Sequence, residues 1–295
     1  MRIKPYKDFL REIFPQYEQV RKVSLNAGFS CPNLDGTVGT GGCAYCNNNS
    51  FSPVAATEQS LLEQIEAGIK NFRKRNKEIG ILAYFQSYTN TYASVQKLRE
   101  IFTPAILHSE VAGIAVGTRP DCLSPQIAEL LAELNKTKPV IVEIGVQTAN
   151  NKTLKNINRN HTAECACNAA LLCKNLGLAI TAHIIIGLPG EGMNDFANTA
   201  KLVKDCGFFA VKIHPLHIVK GTRFAEEYQK GEIKLLSLEE YCKAAAEVIR
   251  MVSPDTAIER ISAESPSDML IAPVWSGERD RIWKFIRQWL PGQVR

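Results

Sequence analysis

The stretch CPNLDGTVGTGGCAYC, Cys31 to Cys46, constrains this 295-residue chain more than any other. It sets three cysteines at C-x11-C and C-x2-C spacings, with an aromatic residue, Tyr45, directly before the last. Pro32 and four glycines lie between them, and glycine reaches backbone angles that other residues avoid. Such a loop can turn three sulfurs toward one centre. Thiolates are soft ligands that suit zinc and iron–sulfur clusters. Three readings are open at this point. Free cysteine is among the most buried residue types, so the three could be plain packing. Structural zinc closes with four protein ligands, and neither a second C-x2-C nor an H-x3-H follows. Three thiolates on a cluster of four irons would leave one iron free for a small molecule.

The rest of the chain alternates between two periodicities. Residues 1–19 read as a short helical lead-in. Strands are expected at KVSLNAG (Lys22 to Gly28), ILAYFQ (Ile81 to Gln86), VAGIAVG (Val111 to Gly117), PVIVEIGVQ, LAITAHIIIG and FFAVKIHPLH (Phe208 to His217). Between them lie helical patterns at residues 57–78, opened by Thr57 and Glu58, and from Val95 to Leu107. A third follows Ser124 and Pro125, a fourth spans residues 162–176 between Thr162 and Gly177, and a fifth spans residues 194–205. Ser and Thr before an apolar-periodic run, Pro at its first turn and Gly just past its end are helix boundary signals. Strands that are apolar throughout, rather than alternating, belong to a parallel sheet covered on both faces. Six strand–helix units of this kind predict a partial (β/α)6 TIM-like barrel over residues 20–235. Residues 236–295, with a helix at Leu238 to Met251 and a strand at Ala257 to Ala263, read as a small C-terminal α/β extension packed on it.

In such a barrel the reactive residues belong at the C-terminal ends of the strands. Here the cysteines follow the first strand, Gln86, Ser87 and Asn90 the second, and Thr118-Arg119-Pro120-Asp121 the third. Gln147 closes the fourth, and Gly187-Leu188-Pro189-Gly190-Glu191 follows the fifth. Composition adds limits. No apolar run reaches the roughly 18 residues of a membrane span. The charged N-terminus lacks a secretory pattern, and nine cysteines without an extracellular address point to a reducing cytoplasm rather than a disulfide framework. A net charge of +5 permits an anionic partner such as RNA. The densest basic stretches are KNFRKRNK (Lys70 to Lys77) and RDRIWKFIRQW (Arg279 to Trp289).

A cysteine triad ending in C-x-aromatic-C at the head of a six-unit barrel resembles the radical S-adenosylmethionine (SAM) enzymes. The longer first spacing, with GTRPD, EIGVQT, NRNHT, GLPGE and VKIHPLHIVKGT in this order, is similar to the radical SAM domain of the Elongator catalytic subunit. The resemblance implies a [4Fe-4S] cluster on Cys31, Cys43 and Cys46, with SAM chelating the fourth iron. Reductive cleavage of SAM would then give a hydrogen-abstracting deoxyadenosyl radical. It further implies Tyr45 against the adenine and Gln86, Ser87 and Asn90 near the SAM amino group, although the family's Gly-Gly-Glu is Gln-Ser-Tyr here. Gln147 and Arg159 would meet the ribose and carboxylate, with Glu143 on the same strand face as Gln147. His183 stands where some relatives bind ribose, with packing of an apolar strand as its alternative, and Gly187 and Gly190 would let backbone approach the adenine. The resemblance also implies tRNA as substrate, a wobble-uridine side chain trimmed from carboxymethylaminomethyl to aminomethyl, and an electron donor such as flavodoxin or ferredoxin. Two alternatives stand beside it: a coproporphyrinogen-oxidase-like enzyme acting on a small molecule, and a non-catalytic metal-binding scaffold. Cys122 is expected at the barrel mouth, and the cysteines on helices are expected to be buried or idle.

Overall fold

The computed structural model describes residues 3–50, 52, 54, 57–74, 78–290 and 292. Seven strands form one sheet: β1 (Val20–Leu25), β2 (Gly80–Phe85), β3 (Val111–Thr118), β4 (Val140–Gln147), β5 (Ala179–Ile186), β6 (Ala210–Pro215) and β8 (Ala257–Arg260). They pair in that order, and every pairing is parallel. The sheet curls into a half-barrel. Helices α2 (Leu61–Arg73), α3 (Val95–Leu107), α4 (Pro125–Asn135), α6 (Ala163–Asn175), α7 (Met193–Asp205) and α9 (Leu238–Val252) are the crossovers between strands. Their apolar sides meet the outward residues of the sheet, such as Ala83, Phe85, Val116, Val142, Ile144 and Ile184, in the main core. Burial on both faces is why these strands carry little polar alternation.

Several boundaries differ from the sequence reading, among them β6 and β8, which are shorter than expected, and two have a clear local cause. α2 starts at Leu61 because Ser60, not Thr57, is its cap: the Ser60 hydroxyl accepts from the Glu63 amide at 3.4 Å and Glu63 accepts from the Ser60 amide at 2.7 Å. β1 ends at Leu25 because Asn26 turns the chain, its side chain accepting from the Gly28 amide at 3.0 Å. A larger difference lies at the C-terminal end. Helix α9 and strand β8 repeat the βα unit once more, and β8 pairs with β6, so the sheet has seven strands where six were expected. Among the described residues of this part of the chain, β7 (Ile218–Val219), α8 (Arg223–Gln229), β9 (Leu270–Ala272), a 3-10 turn at Val274–Gly277 and α10 (Arg279–Trp289) lie outside the repeat, β7 and β9 forming an antiparallel ribbon.

The cysteines on helices are not all idle. Cys167 on α6 and Cys206, at the end of α7, are joined in a disulfide, contrary to the expectation of no such bonds. The two helices bring their Cα atoms to 5.4 Å, a separation a disulfide spans. Cys173 and Cys242 are free and buried, Cys165 free and half-buried.

The lead-in becomes helix α1 (Tyr6–Ile13), and its place explains how the concave face is filled. Phe9, Leu10 and Phe14 pack against Leu82, Tyr84, Ala112, Ala115, Ile141, Ala210 and Ala257, inward residues of five strands. Gly113 makes room for this plug: a Cβ there would lie 2.9 Å from the Phe14 ring. The Ile258 amide also donates to the Lys4 carbonyl at 2.9 Å, tying the segment before α1 to the last strand. Phe14 is fully buried, and emptying such a site costs about 3–5 kcal/mol. Phe14→Ala is therefore expected to lower the urea unfolding midpoint by a corresponding amount with little change in slope.

Candidate functional site

The cysteine loop is held by a segment more than a hundred residues away. After β4, the chain makes α5 (Asn151–Asn156) and then runs through Asn158 and Asn160, both with positive φ, +54° and +59°. Asparagine tolerates that conformation better than most residues. From there the Asn158 side chain donates to the carbonyls of Thr40, at 3.0 Å, and Gly42, at 2.7 Å. Asn160 donates to the Asn33 side chain at 2.6 Å, and Asn33 donates back to the Asn158 carbonyl. The Ala44 amide donates to the Ile157 carbonyl at 2.9 Å. Gly39 is part of the clasp, since a Cβ on it would come within 2.4 Å of the Asn160 amide nitrogen. Gly41 and Gly42 turn the loop at φ +74°.

So held, Cys31, Cys43 and Cys46 line a cavity of about 230 Å³ at the C-terminal ends of the strands. That is room for a small molecule, not for a folded partner. Arg159 packs beside the sulfurs. Its Nη1 lies 3.6 Å from Cys43 Sγ, its Nη2 donates to the Gly145 carbonyl at 3.0 Å, and its Nε donates to His161 Nε2 at 2.9 Å. The His161 Nδ1 faces the Thr162 carbonyl at 3.1 Å, so the proton of this imidazole sits on Nδ1. Burial and the neighbouring Arg159 hold His161 down to about 3. A Cβ on Gly145 would meet Arg159 at 2.5 Å and Gln147 at 2.8 Å, so a side chain there would displace one or both from their present positions. Arg119 lines the cavity too; it grips Asp121 through two bonds of 3.0 and 2.7 Å and donates to the Arg159 carbonyl at 2.8 Å. Its remaining nitrogen, Nη1, is buried without a hydrogen-bond partner. Burial pushes the Cys46 thiol up to about 12.

The floor of the cavity is ionic. Glu143 on β4 accepts from Lys22 on β1, from Lys212 on β6 at 2.7 Å and from His183 Nε2 on β5 at 2.7 Å. Glu259 on β8 faces Lys22 at 2.5 Å and Lys212 at 3.3 Å. Tyr84 lies beneath, its ring 4.9 Å from each ammonium. Although burial favours the neutral acid, the two lysines and His183 hold the Glu143 carboxyl well below the usual range. His183 is pushed down to about 4, by burial first and then by Lys212.

The comparisons with known proteins agree with this layout. The profile described as the radical SAM superfamily matches residues 36–203, and that of the Radical_SAM C-terminal domain matches residues 209–291. The first covers more than half of the chain. The chain belongs to the radical SAM superfamily. Protein YhcC of Escherichia coli strain K12 is 41% identical over 265 residues, covering 89% of this chain and 84% of its own. Among solved structures, the archaeal Methanocaldococcus infernus Elp3 with an N-terminal deletion has a TM-score of 0.70 at 19% identity, covering 91% of this chain and 63% of that one. Coproporphyrinogen III oxidase (HemN) from Escherichia coli has a TM-score of 0.54 at 17% identity, covering 83% and 55%. These likenesses fix the fold. Radical SAM enzymes use a [4Fe-4S] cluster and SAM, and this chain is an enzyme of that superfamily.

Against that background, the residues picked from the sequence fall into two groups. Tyr45, Gln86, Glu143, Gln147, Arg159 and His183 line the cavity with the cysteines. Ser87, Asn90, Gly187 and Gly190 lie outside its lining. Ser87 is bonded to Ser52 at 2.8 Å, and Asn90 donates to the carbonyls of Phe85 and Gly117, fastening the ends of β2 and β3 together. Gly187 and Gly190 make the turn after β5 at φ +96° and +86°. Beside them Glu191 accepts from Thr148 at 2.5 Å, which links the GLPGE and EIGVQT segments. Cys122 sits half-buried in a 3-10 turn after β3, and its carbonyl accepts from Thr91 at 2.6 Å. Gln147, at φ +69°, follows a register shift between β4 and β5, yet it still shares the inner face with Glu143. Sequence reasoning missed Lys22, Lys212, Glu259, His214 and Arg260. The available signal was a charged residue embedded in a strand that is apolar on both sides.

Two outcomes follow for the site. Asn158→Ala removes both clasp bonds and puts alanine at a positive φ, so the reconstituted protein is expected to lose iron several-fold faster under chelator, read from the visible absorbance. Second, neutral His183 is the folded form, so below about pH 6.5 the unfolded chain takes up the proton first. Stability is expected to fall between there and about pH 4, and less steeply in His183→Asn, as followed by melting temperature.

Proposed function

We propose that Cys31, Cys43 and Cys46 hold the cluster and that the enzyme acts on the side chain of a wobble uridine in tRNA, trimming carboxymethylaminomethyl to aminomethyl. The observation that carries the first part is the clasped loop, which brings three thiols to one cavity. The site's chemistry fits the cofactors. The donor set is three cysteines, and thiolates are the ligands that iron–sulfur clusters take. Arg119 Nη1 is a buried donor with no hydrogen-bond partner, placed on the cavity lining where an acceptor would complete it. When bound, the cluster and SAM supply one-electron cleavage and a hydrogen-abstracting carbon radical.

The remaining steps belong to the chain. Arg159 sets its guanidinium against Cys43, 3.6 Å from the sulfur, and so helps to position that side of the loop. Tyr45, Gln86, Gln147 and Arg159 would hold SAM, with Arg119 Nη1 available to its carboxylate. Ser87, Asn90, Gly187 and Gly190 shape the loops around it. The ionic floor and the α1 plug close the cavity from below against water.

Support for tRNA comes from two sides. Elongator complex protein 3 of Homo sapiens is 26% identical over 192 residues, covering 64% of this chain and 33% of its own. Helix α10 presents Arg279, Arg281, Lys284 and Arg287 to solvent, a basic face suited to phosphates. Of the other basic stretch, residues 75–77 lie outside the described residues, and Arg73 is paired with Glu110 at 3.0 Å. Among the described residues no helix is long and apolar enough to cross a membrane; we place the enzyme in the cytoplasm with its tRNA and a flavodoxin or ferredoxin donor.

The test is anaerobic. Reconstituted protein with SAM and dithionite is expected to form 5′-deoxyadenosine, faster with bulk tRNA, and not at all when any of the three cysteines is alanine. Wobble nucleosides unchanged in a deletion strain would overturn the tRNA reading while leaving the cluster assignment intact. Cleavage indifferent to tRNA would favour a small-molecule substrate, the reading that the fold shared with coproporphyrinogen III oxidase keeps in view.

A further inference from the structure

The charges around the cavity do not cancel. The ionic floor links Lys22, Lys212, Glu143 and Glu259, two cations against two carboxylates. Arg119 is matched by Asp121, and Arg159 stands next to the cysteine sulfurs. Arg260, the last residue of β8, is different. It lines the same cavity, and none of the ion pairs among the described residues includes it. Its Nη2 donates to His214 on β6, 3.1 Å from Nε2, and its Nε is buried without a hydrogen-bond partner. Glu264 also lines the cavity, but its side chain is exposed and joins no ion pair with Arg260.

His214 cannot supply the missing anion, nor does it add a second cation. Burial and the neighbouring Arg260 keep its imidazole neutral, and burial does the same for His217. The β6–β8 side of the cavity therefore carries one surplus positive charge on a guanidinium with a free, desolvated donor. A guanidinium presents parallel donors that match a carboxylate. A buried donor without a partner is costly in the free protein, and an acceptor that reached Arg260 from the cavity would recover that cost.

We propose that Arg260, steadied by His214, is the subsite that receives a carboxylate carried by the substrate. The inference takes the cavity as the place of reaction and otherwise stands apart from the tRNA reading, because the carboxylate could arrive on a modified nucleoside or on a small acid. Acting on a carboxylate-bearing group, the enzyme would hold that group's charged end on β8 while the cysteine loop addresses the other.

The measurement is ligand-observed NMR on the cluster-reconstituted protein with SAM and no reductant. The probes are N-methylglycine and acetate, which carry the carboxylate, and methylamine, which does not. N-methylglycine and acetate are expected to bind competitively and methylamine not to bind. Losing a charge-assisted pair weakens binding by about tenfold or more, so Arg260→Gln should show that loss. Arg260→Lys, which keeps the charge but loses the planar pair of donors, should bind more weakly than the wild type and more tightly than Arg260→Gln. Melting curves of both variants separate loss of the subsite from loss of the fold. Equal binding of N-methylglycine by Arg260→Gln, binding of methylamine, or no carboxylate binding by the wild type would each overturn the assignment. Competition by tRNA bearing carboxymethylaminomethyluridine would identify the nucleoside as the source. If that tRNA fails to compete while the small acids still bind through Arg260, the subsite stands and the tRNA reading falls.

Discussion

The structure depends on an ion pair across its own seam. The sheet is open: among the strands of the described residues, β1 pairs with β2 and β8 with β6, and the far edge of β8 meets only Pro5 in a single bridge. Lys22 on the first strand and Glu259 on the last nonetheless meet at 2.5 Å, and Lys212 and Glu143 extend the contact to β6 and β4. Four strands are thereby referenced to one point. Buried charges are expensive to desolvate, and such a network is tolerated only when each member is partnered. Removing any one would leave an uncompensated charge facing apolar walls, so the four positions are mutually dependent. The α1 helix belongs to the same arrangement, because the Tyr6 ring lies 5.0 Å from the Lys22 ammonium.

This dependence explains which parts of the fold were legible in the sequence. Strand–helix alternation and the apolar strands declare a parallel sheet, since burial on both faces leaves a direct mark on composition. Helix caps such as Thr162 and Ser124 were readable for the same local reason. The seventh strand was harder. AIERIS is short, charged and far from the repeat, and its charges belong to partners 237 residues away, Lys22 to Glu259. A lysine or glutamate in a strand reads locally as a defect; only the fold shows that the defects cancel. The pairing of Cys167 with Cys206 was hidden likewise, because it depends on how two helices pack and not on either sequence alone.

The candidate site shows the same division. Its most telling feature, three cysteines on a glycine-rich loop, is visible because ligand chemistry restricts residue type. Asn158 and Asn160 stand out in the NRNHT segment, but what they do is legible only in three dimensions, where they hold the backbone carbonyls and Asn33 of a loop far away in sequence. Ser87 and Asn90 illustrate the reverse. They sit at the C-terminal end of a strand, where reactive residues gather, yet their side chains turn to Ser52 and to backbone carbonyls. The position in a barrel selects candidates; the direction of the side chain decides between binding a ligand and binding the scaffold.

That distinction also bears on how the cavity recognises anything. Glu143, Lys22, Lys212, His183, His161 and Asn90 already bond within the protein. A polar group so committed can set the field of the cavity, but engaging a ligand would cost it an existing partner. Recognition then rests on the few groups left over. Arg119 Nη1 and Arg260 Nε are two such donors, buried and unpartnered, the first on a guanidinium matched by Asp121 and the second on one that joins no ion pair among the described residues. An orphaned donor costs roughly 1–3 kcal/mol in the free protein, and that cost is recovered only when an acceptor arrives. The ionic floor supplies the rigidity that lets the chain keep these donors open, so the same buried charges that hold the half-barrel together also determine where a ligand can gain the most.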